Sequence, residues 1–334
     1  MQGTIKQNPL DFIVQELLPE GFFQDTGTYR VLNLTKEGIN TEDALQKLAR
    51  QLGIPRKAIG YCGNKDKHAR TIQYLTIRCD QLNLKKLAVI EIANCSISLA
   101  GYSETALTLG QNRGNSFSIT IRNLADGTQL KTPASIPNYF DEQRFSKTNV
   151  DVGRALIHRE FNEACRLAFP DQPIQNSIAR LRTLPMQDLL LYIHAYQGFL
   201  WNETVYRYLK NKKGHDVAYS KGLLRFPKEP IPDENIPLIG FMHEPSDIKK
   251  KKVREISTTL MDEENITTRS FIIREIPYLT SEGGERTLLI KLQDFHMQTA
   301  EDDELFPGRK KIQLTFSLPS GSYATMVIKA LFTE

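Results

Sequence analysis

The residue best suited to chemistry is Asp66, a single carboxylate among Lys65, Lys67, His68 and Arg70. Nearby positive charge favours the charged form of an acid, so this group stays ionised near neutral pH. An ionised carboxylate on a firmly held loop is a candidate nucleophile or base. The surrounding cations would draw in an anionic substrate. A solvated turn with an incidental acid is the plainer alternative, because loops rich in glycine and lysine are common. Two extended stretches must hold the loop. Residues 58–61 read as a strand entering the fold, Gly63 and Asn64 break it, and residues 71–77 resume a β-rich pattern.

The elements around this loop are also legible. Asn8 and Pro9 make a turn into a short strand with Phe12 and Val14 on one face and Ile13 and Gln15 on the other. Taken alone, Phe12 reads as core. Residues 29–34 form a second extended run. Asn40 with Asp43 then marks a helix start, Ala44, Leu45, Leu48 and Leu52 give the apolar stripe, and Gly53 and Pro55 end it. Strand, helix and strand in this order predict a mixed α/β fold. Farther on, Gly110 to Asn115 is a glycine- and amide-rich loop, followed by Phe117, Ile119 and Ile121 alternating with polar residues. Arg113 in that loop is either a solvated cation or a planar fork for phosphate oxygens.

Residues 137–145 crowd Asn138, Tyr139, Phe140, Gln143, Arg144 and Phe145 together. Such a cluster is a buried turn or a stacking platform with hydrogen-bonding edges, as single-stranded RNA recognition requires. From about residue 151 the texture becomes helical, with amphipathic helices expected over 152–167 and 186–210 and Trp201 in the core. Lys249–Lys252 with Arg254 is the most basic run, a solvated surface or a grip on phosphates. Residues 301–304 are all acidic and read as linker or surface, and strands are expected over 281–292. Residues 312–332 read as strand, turn and helix, with Ser322 as the helix cap.

Composition narrows the class. A chain of 334 residues has room for two domains, and 40% hydrophobic with 25% charged residues is ordinary for a globular protein. A net charge of +4 is compatible with nucleic acid without requiring it. Cys62, Cys79, Cys95 and Cys165 lack metal-ligand spacing, which predicts reduced thiols, no structural metal and a cytoplasmic setting. The first nine residues are polar, unlike a signal peptide, and no apolar run is long enough to span a bilayer.

Four motifs together resemble the TruD-type tRNA pseudouridine synthases. Gly63-Asn64-Lys65-Asp66-Lys67-His68-Ala69 with Thr71 and Gln73 is similar to that family's G-x-K-D-[RK]-x-A-x-T-x-Q signature. Lys6 to Glu16 resembles its opening K-x-x-P-x-D-F-x-V-x-E. Residues 138–145 resemble N-Y-F-G-x-Q-R-F, with Asp141 where the family usually has glycine, and residues 318–325 resemble L-P-x-G-S-[YF]-A-T. A looser likeness runs from His194 to Asn202, and Gly110 to Asn115 matches a G-x-x-x-G-N element.

The resemblance implies a bilobed α/β protein. Its pseudouridine synthase-like catalytic domain, with a mixed or antiparallel sheet, would span 1–150 and 306–334, and an inserted α/β domain would span 151–305. It implies Asp66 as the catalytic carboxylate, Lys6 as its charge partner and Asn138 as the group that orients it. Phe12, Phe140 and Tyr323 would hold the extruded uridine, and Lys65 and Arg113 would contact substrate. The implied partner is tRNA, with uridine 13 the usual target, bound by a monomer without cofactor, metal or membrane. A catalytically silent RNA-binding protein would not need Lys6, Asp66 and Asn138 together. A carboxylate hydrolase or phosphotransferase would need a second acid or a Mg²⁺ site, and no acidic cluster flanks Asp66.

Overall fold

The computed structural model describes residues 3–332 apart from 134, 172 and 174. The chain divides into two compact units, Met1–Leu130 with Leu292–Gly321, and Lys131–Lys291 with Ser322–Glu334.

The first unit is built on a nine-stranded sheet. β1 (Phe12–Leu17), β2 (Tyr29–Lys36), β3 (Gly60–Tyr61), β4 (Arg70–Arg78), β5 (Cys95–Ser103) and β6 (Gly114–Leu124) come from the first part of the chain. The strand Lys310–Pro319 joins from far along the sequence and pairs antiparallel with β6. Across the sheet the order is Gln293–Met297, Lys310–Pro319, β6, β1, β4, β2, β5, with β3 beside β4 and Glu301–Asp302 beside Lys310–Pro319. β1 and β4 run parallel, with Ile13 opposite Arg70, whereas the remaining pairs are antiparallel. The sheet is therefore mixed. Parallel pairing also brings the approaches to β1 and to β4 out at the same end of the sheet, which is how Lys6 and Asp66 come to be neighbours.

Alternation explains what each strand buries. Phe12 and Val14 face inward as expected, and so do Phe117, Ile119 and Ile121 of β6. On one face α1 (Thr41–Leu52) lays Leu45, Leu48 and Leu52 against Leu32, Leu34, Leu75 and Ile77. Gly53 ends α1 at φ 74°, a left-handed stop that glycine adopts without steric cost.

The second unit surrounds the helix Met186–Leu209, with Asn149–Ile157 and Lys251–Glu263 packed against it. Three two-stranded sheets complete it: Ser135–Pro137 with Leu289–Lys291, Gly214–Tyr219 with Gly222–Pro227, and Asn235–Leu238 with Gly284–Thr287. Trp201 is buried as expected and donates its indole N–H to the Ile236 carbonyl at 3.2 Å.

Several expectations need correction. The helix expected over 152–167 is two, Asn149–Ile157 and Phe161–Ala168. Arg159 takes the left-handed conformation, φ 60°, while its N–H and that of Glu160 return to the carbonyls of Leu156 and Ala155. That closes the first helix in a Schellman turn without the usual glycine. In the acidic run 301–304, Glu301, Asp302 and Glu304 lie at the surface as one reading had it, and Asp303 does not. Asp303 is buried and pairs at 2.9 Å with buried Arg122, which also holds Asp11 at 2.9 Å. Residues 292–305 pack with the large sheet, whereas residues from Ser322 onward pack with the second unit. The compact units change over at 130, 291 and 321. The four cysteines are free thiols. Among the described residues no helix is long and apolar enough to cross a membrane, and no group of three His, Cys, Asp or Glu side chains is placed to hold a metal ion.

Candidate active site

Asp66 is only 18% exposed, and Lys6 donates to its Oδ2 in a close ion pair. Its Oδ1 accepts the N–H of His68 at 2.9 Å. Burial works against the charged form of Asp66, but the Lys6 ammonium and the His68 N–H outweigh it. They hold the carboxyl below its ordinary value of 3.8. Lys6 also stands over the ring of Phe12, 4.3 Å from its centroid, and Phe12 packs edge-on against Phe117. One ammonium therefore joins the acid to the aromatic face. Lys6 has φ 61°, an uncommon conformation for a residue with a side chain, and such strain gathers at functional sites.

The signature residues around Asp66 build its support. Thr71 and Gln73 are fully buried. Gln73 Oε1 accepts the hydroxyl of Thr41 at 3.0 Å, and that hydroxyl oxygen accepts the N–H of Lys65 at 3.0 Å. The Gln73 amide also reaches the Gly63 carbonyl at 3.4 Å. Gly38 N–H donates to the Lys67 carbonyl at 3.0 Å, and Gly110 N–H to the Cys62 carbonyl at 2.8 Å. The turn after β2, the start of α1 and the glycine loop before β6 thus all fasten the same segment.

Two residues expected to contact substrate have acid partners within the first unit. The Lys65 ammonium turns inward and pairs at 2.7 Å with Glu16, whose side chain is fully buried. A buried acid needs a partner, and Lys65 provides it instead of facing solvent. Arg113 pairs at the surface with Glu20 at 3.0 Å, while its backbone N–H donates to Leu17 and its carbonyl accepts from Ser320. Its role in this structure is to bind the loop to the end of β1. Gly114 shows why that loop needs glycine, since a Cβ there would come within 2.1 Å of the Leu318 carbonyl oxygen.

In the second unit, Asn138, Phe140 and Tyr323 come together around Arg286. Asn138 is buried, and its backbone and side-chain oxygens accept from Arg286 at 2.8 and 2.6 Å. The same guanidinium covers the ring of Phe140, 4.1 Å from the centroid. Burial pulls Arg286 down to about 10, which leaves it charged at neutral pH. Phe140 meets Trp201 and Tyr323 edge to face, and Asn202 clamps its backbone from both sides with two 2.9 Å bonds. A Cβ on Gly198 would stand 3.2 Å from the Phe140 ring, so glycine leaves room for it.

Asp141 departs from the resembled glycine without strain, at φ −89°. Its carboxylate accepts from the Thr325 hydroxyl at 2.7 Å and from Lys329 at 3.2 Å, tying the turn to the helix Ala324–Leu331. That helix is capped differently from expectation. Tyr323, not Ser322, is the residue at its N-cap, and the cap has no side-chain hydrogen bond.

Arg286, Asn202 and Lys36 escaped the sequence reading. Asn202 lies within the stretch singled out on the long helix, so its position was visible but not its role. Arg286 sits in Gly-Glu-Arg-Thr and Lys36 at the end of β2, and neither has a local pattern that marks it.

The chain is also similar to known proteins. The sequence profile described as tRNA pseudouridine synthase D (TruD) matches residues 1–177 and 171–331. The tRNA pseudouridine synthase D of Leptospira interrogans is 26% identical over 395 residues, spanning 98% of this chain and 95% of that protein. The protein of the same name from Aquifex aeolicus is 25% identical over 390 residues, spanning 99% and 98%. A crystal structure titled as the putative tRNA pseudouridine synthase D of Methanosarcina mazei shares the fold, with a TM-score of 0.69 at 23% identity over 98% of this chain and 93% of that one. The chain belongs to the TruD family of tRNA pseudouridine synthases.

Proposed function

We propose that the protein converts a uridine of tRNA, at position 13, to pseudouridine, acting as a monomer, and that Asp66 is the carboxylate on which the reaction depends. The observation that carries this reading is the Lys6–Asp66 pair, an acid kept ionised on a loop fastened by its own signature residues. The isomerisation breaks the bond from ribose C1′ to uracil N1, turns the base and forms the bond from C1′ to C5. The C5 proton leaves and N1 gains one, so atoms balance without a co-reactant. One ionised carboxylate serves either route to the first step, attack on the sugar or ring, or removal of a sugar proton. The C5 proton then passes to water or to Asp66. The base must leave the helical stack to be reached, and apolar faces offset the cost of extruding it.

We assign the carboxylate and Phe12 to the first unit and the aromatic group of Phe140 and Tyr323, with Asn138, to the second. The second unit also supplies a phosphate grip. Lys210, Lys212, Lys249, Lys250, Lys251 and Lys252 are exposed, and Lys250 and Lys252 flank the Tyr208 ring at 5.4 and 4.8 Å. Burial and then repulsion from Lys212, Lys210 and Lys250 pull the Lys252 ammonium below its ordinary value. Such crowding is relieved by a polyanion, with release of its counterions.

The test compares the parent with Asp66→Asn on unmodified tRNA transcript, using carbodiimide mapping to locate pseudouridine. The parent should form one new pseudouridine, at position 13. The variant should lose at least about 10⁴-fold in rate while still binding tRNA. A parent that binds tRNA and other RNAs without modifying any would overturn the assignment. Modification at another uridine would correct the target alone.

A further inference from the structure

Lys36 is fully buried at the end of β2, and its ammonium donates to three backbone carbonyls: Ile39 at 3.0 Å, Lys65 at 3.2 Å and Asp66 at 3.0 Å. Among the described residues no carboxylate forms an ion pair with it. Taking a charge out of water is costly unless something nearby compensates. Here the compensation comes from carbonyl dipoles of the segment that carries Asp66 and of the turn before α1. An ammonium is well shaped for this task, because it offers three donors and no acceptor. From the geometry we infer that Lys36 is a positioning residue for the reaction, a charged pin that sets the backbone of Asp66 so that its carboxylate meets Lys6. This rests on Asp66 being the reacting carboxylate.

The groups facing Lys36 are few. Asp66 and the Cys95 thiol, directly across from it on β5, favour its charged form, while Lys65 opposes it. Burial outweighs them and pulls the ammonium from 10.5 down to about 8. The sign of the linkage separates positioning from stability. Above about 8 the folded state releases this proton while the unfolded chain keeps it up to 10.5, so this group makes the protein more stable as pH rises through that window. The pin is lost over the same window. Activity should therefore fall where this residue's contribution to stability grows, an outcome that a purely structural lysine would not produce.

The experiment measures kcat and KM for pseudouridine formation on tRNA transcript from pH 6 to 9.5, with melting followed alongside. In the parent, kcat should fall through pH ~8 with KM and tRNA affinity unchanged. Lys36→Met should lower kcat by about 10- to 100-fold, because small misplacement of a reacting group costs that much, and should lose the alkaline limb. Amide exchange of residues 62–69 should quicken in Lys36→Met, while that of β2 and β4 stays at the parent's rate. A Lys36→Met protein that is folded and turns over like the parent would overturn the inference. So would a parent kcat flat to pH 9.5, which keeps the test open if the variant does not fold. If the parent makes no pseudouridine at all, the functional reading has failed instead, and unchanged amide exchange over 62–69 in the variant would overturn the pin independently.

Discussion

The two units solve one problem in the same way with different parts. In the first, Lys6 bonds to the polar residue Asp66 and stands on the ring of Phe12. In the second, Arg286 bonds to the polar residue Asn138 and lies on the ring of Phe140. Each cation fixes a polar group and an aromatic face relative to one another. They differ in what the bond accomplishes. The point charge of Lys6 sets the ionisation of an acid, whereas the planar fork of Arg286 takes two oxygens of one residue and sets its orientation. The first is electrostatic tuning of an acid, and the second is geometry.

This contrast breaks most visibly at Lys6. Lys6→Met should reduce kcat by about 10²-fold or more, the range found when one charge-stabilising donor is removed from a site. It should also move the acid limb of the pH profile upward. The Lys6 pair keeps Asp66 below 3.8, so its stabilising contribution is present above that value and is lost as pH falls through the lower folded value. A pH–rate profile together with acid-induced melting checks both signs. An unshifted acid limb would mean that Lys6 does not set the ionisation of Asp66.

Arg286→Met should act through structure. It strips two oxygens of buried Asn138 of a charged donor, a loss of about 1.5–3 kcal/mol, visible as a lower melting temperature. Arg286→Lys should not restore it, because one ammonium lacks the fork for both bonds. The acid limb of the pH profile should stay where it is in both variants. If it moves as in Lys6→Met, the proposed division of labour is wrong.

The smallest effect belongs to the exposed lysines. Replacing Lys249 and Lys251 by glutamine should leave kcat unchanged and weaken tRNA binding modestly. The slope of log affinity against log salt should fall by about 0.7–0.9 for each phosphate that the protein no longer neutralises. An unchanged slope would remove that surface from the tRNA interface.

Local pattern accounts for what could be read in advance. Alternation over 116–122 reports which side of a strand meets the core, and the Asn40 and Gly53 boundaries of α1 are properties of neighbouring residues. Short-range chemistry also foretold that Asp66 is ionised, although of the nearby cations only His68 contributes and the main partner is Lys6, sixty residues away. That chemistry did not foretell the acid partners of the loop cations Lys65 and Arg113. What decides their fate is an acid at Glu16 or Glu20, about fifty and ninety residues away in the chain. Asp303 was misread for the same reason, its partner Arg122 being 181 residues distant.

The sequence by itself determined the mixed α/β class, the Asp66 loop with its family signature, and the aromatic segments at 138–145 and 318–325, because those depend on residue types at short spacing. The family resemblance already paired Lys6 with Asp66, but only the tertiary structure decided how each cation reaches its group. Parallel pairing of β1 with β4 brings Lys6 to Asp66, the end of β2 drives Lys36 beneath the same loop, and a strand at Gly284–Thr287 carries Arg286 to Asn138. A charge reaches its partner through the fold, and side-chain periodicity along a segment carries no record of what lies across the sheet from it.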